Sequence, residues 1–147
     1  APDPCIYGTQ PSHKQTKMNG KYPMKILALE FSSRQRSVAV TAGSTPLAVT
    51  TTDNIKTGPM VLIHDTLTQA KTERADINLI AVGIGPGSYT GIRSAIAVAQ
   101  GWQLAREIQL CAINSAEVLA ATAHSNGRRG KTHFIIDAQR NEYYHCT

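Results

Sequence analysis

From residue 24 onward the apolar positions recur with two periods, and the changes of period divide the chain. Lys25-Ile26-Leu27-Ala28-Leu29 is a short continuous apolar run, as expected of a buried central strand. Ser37-Val38-Ala39-Val40-Thr41 and Pro46-Leu47-Ala48-Val49-Thr50 follow, separated by Ala42-Gly43-Ser44. Three such runs with short polar connections predict an antiparallel meander. The period then changes. Thr57-Gly58-Pro59 opens a helix with proline at its first position, and Met60, Ile63, Leu67 and Ala70 recur at helical spacing through Lys71. A strand is expected over Asp76 to Ile84, a second helix from about Gly91 to Arg106, and a strand over Gln109–Ile113. Asn114 or Ser115 caps a third helix running to about Ala123. Phe134–Asp137 and the stretch from Glu142 close the pattern as two strands.

The order is βββαβαβα followed by ββ. A meander whose first strand continues into parallel strands is the ribonuclease H-like layout of the actin and sugar-kinase superfamily. The expected fold is therefore an α/β lobe: a mixed sheet of three antiparallel and then parallel strands, with helices packed on it. Residues 24–132 complete one such lobe, and residues 133–147 read as the first strands of a second, truncated one. Residues 1–23 carry Pro2, Pro4, Pro11 and Pro23 among polar residues and show neither period, so they read as a disordered leader or tag.

The strongest local signal is Gly83-Ile84-Gly85-Pro86-Gly87-Ser88-Tyr89-Thr90-Gly91-Ile92-Arg93, between a predicted strand and a helix. Ser88 and Thr90 are of the type that caps a helix start. Free N–H groups and the helix dipole there favour an anion, which makes Gly85, Gly87, Ser88, Thr90 and Gly91 a candidate phosphate turn. No lysine follows the last glycine, so it is not a Walker loop, and Ser88 stands where a dinucleotide fingerprint needs its third glycine. The residues alone leave two readings open: a phosphate cradle, or a tight turn packing a helix closely on a sheet.

Composition narrows the classes. Of the net charge of +5, residues 1–23 hold +2 (three lysines, one aspartate) and the rest +3 (twelve basic, nine acidic). Gly127-Arg128-Arg129-Gly130-Lys131 is the one basic cluster, and it reads as a solvated loop. Direct RNA binding through Arg128, Arg129 and Lys131 is a third reading, weakened because no aromatic platform is expected alongside those charges. Cys5, Cys111 and Cys146 form no CxxC pair, which suggests neither zinc nor a disulfide framework and fits a reducing, cytoplasmic setting. No run is long enough for a membrane span. His13, His64, His124, His133 and His145 include no pair four residues apart, so no helical metal edge is expected.

Three blocks carry a family resemblance: Met24–Glu30, Ala81–Arg93 and Asp137-Ala138-Gln139-Arg140-Asn141-Glu142-Tyr143-Tyr144. In order and spacing, residues 24–147 resemble the TsaB (YeaZ) family, with Gly85–Arg93 (GPGSYTGIR) the most specific part. The resemblance implies a role in making the threonylcarbamoyl modification of adenosine next to the anticodon of tRNA. It implies an actin-like, non-catalytic subunit that supports a TsaD-like catalytic partner and works with a TsaE-like small ATPase. It also implies a homodimer when alone, tRNA met only indirectly, and no cofactor of its own. TsaD-like proteins carry a His-x-x-x-His pair, which this sequence lacks. Two departures stand out: Glu30-Phe31-Ser32 replaces the usual Asp-Thr-Ser, and Thr57-Gly58-Pro59-Met60 replaces a His-Ser-Glu-like helix opening. The first keeps the charge on a longer side chain and is expected to add the bulk of Phe31 to the phosphate hairpin, which counts against ATP or ADP at the turn; an actin-like ATPase or kinase lobe is the alternative.

The apolar stripes of both helices are wider than sheet packing requires. Ile92, Ala95, Ile96, Val98, Ala99, Trp102 and Ala105 span about 180°, and Met60, Leu62, Ile63, Leu67 and Ala70 about 160°. The expected partner interface is Met60, Ile63, Leu67, Ile92, Ala95, Ile96, Ala99 and Trp102. In the resembled family these two helices build a helical bundle with the partner.

Overall fold

The computed structural model describes residues 23–139 and 141–147; the expected leader, Pro23 apart, lies outside them. The elements are β1 (Lys25–Glu30), β2 (Arg36–Ala42), β3 (Thr45–Thr52), α1 (Pro59–Gln69), β4 (Leu79–Gly83), α2 (Tyr89–Arg106), β5 (Gln109–Ile113), α3 (Ser115–Ser125), β6 (Phe134–Gln139) and β7 (Glu142–Cys146). A 3-10 turn, Arg74–Asp76, precedes β4. One sheet runs in the order β3-β2-β1-β4-β5; β6 and β7 pair with each other in a second. β1–β2 and β2–β3 are antiparallel, while β1–β4 and β4–β5 are parallel. This is the ribonuclease H-like, actin-like ATPase arrangement.

Alternation along the strands sets the core. Leu27 and Leu29 lie opposite Val40 and Val38 on one side and Ile80 and Val82 on the other. All six are at most 4% exposed. Onto this face α1 brings Leu62, Ile63 and Leu67, and α2 brings Ala95 and Ala99. α1 lies over β2 and β3, α2 over β4, β1 and β5, and the two helices touch. In β4, Ile80, Ala81, Val82 and Gly83 are all buried, which explains its unbroken apolar run.

Several boundaries differ from the periodic reading. β4 begins at Leu79, not Asp76, because the polar residues before it are engaged elsewhere. Asn78 exchanges two hydrogen bonds with Lys25, its N–H donating to the Lys25 carbonyl at 2.9 Å and its Oδ1 accepting from the Lys25 N–H at 2.8 Å. α2 begins at Tyr89, with Ser88 as N-cap, its Oγ accepting from the Gly91 N–H at 3.3 Å. Thr90, the other expected cap, lies inside the helix and is exposed. Asn114 caps α3 through a reciprocal arrangement with Glu117.

Candidate functional site

The glycine-rich turn is a junction of the end of β1 with the starts of α2 and α3. Gly85 has φ 87° and its bond to Pro86 is cis. The glycines make room for the segment that follows β1. A side-chain carbon at Gly83 would enter the Glu30 carboxylate, and one at Gly87 or Gly91 would strike the backbone carbonyls of Ser32 or Phe31. Two donors of the turn, the N–H groups of Ser88 and Gly91, are also engaged. The Ser88 N–H donates to the Ser32 carbonyl at 2.6 Å, and the Ile92 N–H to the Ser88 carbonyl at 2.9 Å. The Ser115 N–H donates to the Gly85 carbonyl at 2.8 Å. Ser32 itself donates its N–H to Glu30 Oε1 at 2.7 Å, and its hydroxyl lies 3.2 Å from that of Ser115. Gly85, Gly87, Ser88 and Gly91 are thus brought together, around protein carbonyls. The Phe31 ring adds no bulk to the turn; it is buried in the core, with the Arg36 guanidinium 5.8 Å from its centroid.

The expected partner interface divides in two. Ile63, Leu67, Ala95 and Ala99 belong to the core of the sheet, and Ala95 and Ala99 are 0% and 1% exposed. This corrects their assignment to a partner surface. α2 crosses strands whose larger side chains, Leu29, Ile80 and Val82, already fill the layer, so only small residues fit on its sheet-facing side. Ile92, Ile96 and Trp102 are half-buried, and Met60 is 43% exposed.

The solvent-facing side of α2 carries a different stripe. Ala97, Gly101 and Ala105 succeed one another at four-residue spacing and are all exposed. They lie about 120° around the helix from Gly91, Ala95 and Ala99. A carbon added at Gly101 would meet nothing within 4 Å. Beside this stripe a groove of about 420 Å³ runs between the helices, lined by Met60, Val98, Gly101, Trp102 and Ala105. Arg74 and Arg106 form its rim. Arg106 is fixed there, donating to the carbonyls of Arg74 and, at 2.9 Å, Ala75. Lys25 Nζ bonds Asp76 Oδ2 at 3.0 Å. That bond, then the Glu73 N–H, holds the Asp76 carboxyl below its ordinary value.

One further cluster escapes the linear sequence, and a second is only partly visible in it. His133 Nδ1 lies 2.9 Å from His145 Nε2 across the β6–β7 hairpin. The pair is twelve residues apart in the chain, so helical spacing could not reveal it. Among the described residues no three His, Cys, Asp or Glu side chains converge as a metal site. Between α3 and β6 a basic pocket opens, lined by His124, Arg128, Arg129, Lys131 and Phe134.

Comparison with known proteins places these features. The family described as TsaD: tRNA N6-adenosine threonylcarbamoyltransferase matches residues 25–147. The tRNA threonylcarbamoyladenosine biosynthesis protein TsaB of Bacillus subtilis (strain 168) is 32% identical over 126 residues, 82% of this chain and 53% of the relative. TsaB of Escherichia coli (strain K12) is 35% identical over 83 residues, 56% of this chain and 36% of the relative. The solved structure of YeaZ from Pseudomonas aeruginosa superposes with a TM-score of 0.73 at 28% identity, covering 83% of this chain and 58% of that one. Another Pseudomonas aeruginosa structure, described as similar to peptidase YeaZ, gives 0.74 at 28% identity, over 83% and 57%. The chain spans from 36% to 58% of the length of these relatives. No helix among the described residues is long and apolar enough to cross a membrane. With the family match spanning residues 25–147 and the fold shared, the chain belongs to the TsaB (YeaZ) family, within the TsaD-like proteins.

Proposed function

We propose that this chain is a non-catalytic, cytoplasmic subunit of the machinery that makes N6-threonylcarbamoyladenosine in tRNA. On this reading it is held against a TsaD-like catalytic subunit by the outer face of α1 and α2, and served by a TsaE-like small ATPase. Without the partner it pairs with a second copy through the same face. The observation that carries the reading is Gly101. A glycine in the interior of a helix costs about 1 kcal/mol relative to alanine, and nothing among the described residues needs the space it leaves. Close approach of another backbone does need it. Ala97 and Ala105 extend the same low surface, and the groove beside it offers Trp102 and Met60 as apolar anchors. At the glycine turn, by contrast, the clearances are taken by Phe31 and Ser32 and the Ser88 N–H by Ser32, which supports reading the helices rather than the turn as the functional face.

Gly101→Glu tests this. The new side chain enters open space, so folding and secondary structure are expected to be unchanged. A carboxylate buried unpaired in a helix contact costs several kcal/mol, enough to abolish a micromolar complex. Loss of co-elution with a TsaD-like subunit, with folding intact, is the expected result. Unchanged assembly would refute the interface.

A further inference from the structure

The pocket between α3 and β6 has a chemistry the helix face lacks. Its volume is about 320 Å³, with Ala120, Ala123 and Phe134 as an apolar floor, Arg128, Arg129 and Lys131 around it, and Thr147 also in its lining. No acidic residue occurs between Glu117 and Asp137. Among the described residues, neither Arg128 nor Lys131 has an acidic partner. Cations often gather at a helix C-terminus to satisfy its carbonyls. Here that task is already done. The Thr122, Ala123 and His124 carbonyls accept from the N–H groups of Asn126, Arg128 and Gly127, each at 3.0 Å. Arg129 reinforces the His124 carbonyl at 2.8 Å. Positive φ at Gly127 and Gly130 turns the loop at either end of the arginine pair. Arg128 and Lys131, and the charge of Arg129 beyond its Nη1, are left beside an aromatic floor.

We infer that this pocket holds the phosphodiester backbone of an RNA, with the Phe134 ring beneath a ribose or base. Clustered cations without acidic side chains beside them among the described residues match a polyanion, and an aromatic surface beside them is the usual complement for single-stranded or looped RNA. The choice of RNA over other polyanions rests on the tRNA-modification reading above. It replaces the indirect contact with tRNA expected from the family resemblance by a direct one.

The test is binding of fluorescently labelled unmodified tRNA to the full chain, by anisotropy, at 50 and 200 mM salt. Three phosphate contacts, each contributing about 0.7–0.9 to the salt slope, should weaken binding about 20- to 40-fold across that range. The Arg128→Ala, Lys131→Ala variant keeps Arg129 and should retain only about a threefold dependence. Phe134→Leu should weaken binding at both salts and leave the slope unchanged. No binding by the unaltered chain, a slope untouched by the double variant, or equal competition by polyglutamate and polyuridylate would each overturn the inference. The last outcome would indicate an acidic protein surface instead. No TsaD-like subunit is present in this assay, so its outcome is separate from the Gly101→Glu assembly test.

Discussion

Two glycines in α2 answer the same substitution in opposite directions. Gly91→Ala and Gly101→Ala each gain about 1 kcal/mol of helix propensity. At Gly101 the new methyl meets nothing within 4 Å, so the gain stands. At Gly91 the methyl would sit 3.0 Å from the Phe31 carbonyl carbon and closer still to its oxygen, inside the 3.4 Å of ordinary contact. That carbonyl is poorly placed to retreat. The Phe31 ring is 0% exposed in the core, and the next carbonyl, of Ser32, is bonded to the Ser88 N–H. Overpacking against a fixed backbone costs about 3 kcal/mol. Gly91→Ala is therefore expected to lose about 2 kcal/mol net and Gly101→Ala to gain about 1, by the same propensity and overpacking values. For a chain of this size that separates the two midpoints by about 12 °C. Urea and thermal unfolding, followed by far-UV circular dichroism and by the single tryptophan, Trp102, measure both. Shifts of the same sign, or Gly91→Ala within 1 kcal/mol of the unaltered chain by the same overpacking estimate, would refute the claim that the β1–β2 connection fixes the helix start.

Two further outcomes follow from burial and charge. Ala95→Glu should abolish folding, because it buries a carboxylate among Leu29, Ile80 and Val82 at a cost of several kcal/mol; a cooperative unfolding transition near that of the unaltered chain would contradict its place in the core. Asp76 titrates below its ordinary 3.8, so its contribution to stability is complete above that value and is lost as pH falls through the folded value. Asp76→Asn should flatten that acid-side loss, and an NMR titration placing the Asp76 carboxyl at or above 3.8 would refute the Lys25 contact as its cause.

Much of this architecture was legible because period and punctuation agreed. The meander, the proline at the start of α1 and the Asn114 cap are local signals, and each fell where expected. The purpose of the glycines was not legible. Their neighbours, Phe31 and Ser32, lie more than fifty residues earlier, and no local pattern encodes that contact. The choice between stripes on α2 failed for a related reason. Ala95/Ala99 and Ala97/Gly101/Ala105 share the same four-residue spacing, and alanine is compatible with core and with surface. Gly101 was the available clue, since a helix-interior glycine is unfavourable unless something must come near it. The basic pocket was half visible: the cations were in the sequence, but Phe134 joined them only through the turn of the loop.

The bond from Ser88 to Ser32, with Gly87 and Gly91 pressed on the same segment, ties the first turn of α2 to the end of β1. A helix pinned at one end cannot slide along its axis or roll about it without breaking that joint. Gly101 stands ten residues beyond Gly91, about 15 Å along the axis. The joint therefore sets the height and azimuth at which Ala97, Gly101 and Ala105 are offered to an approaching surface. The backbone of Phe31 and Ser32 anchors the far end of that helix, so a shift of it is expected to move Ala97, Gly101 and Ala105 together.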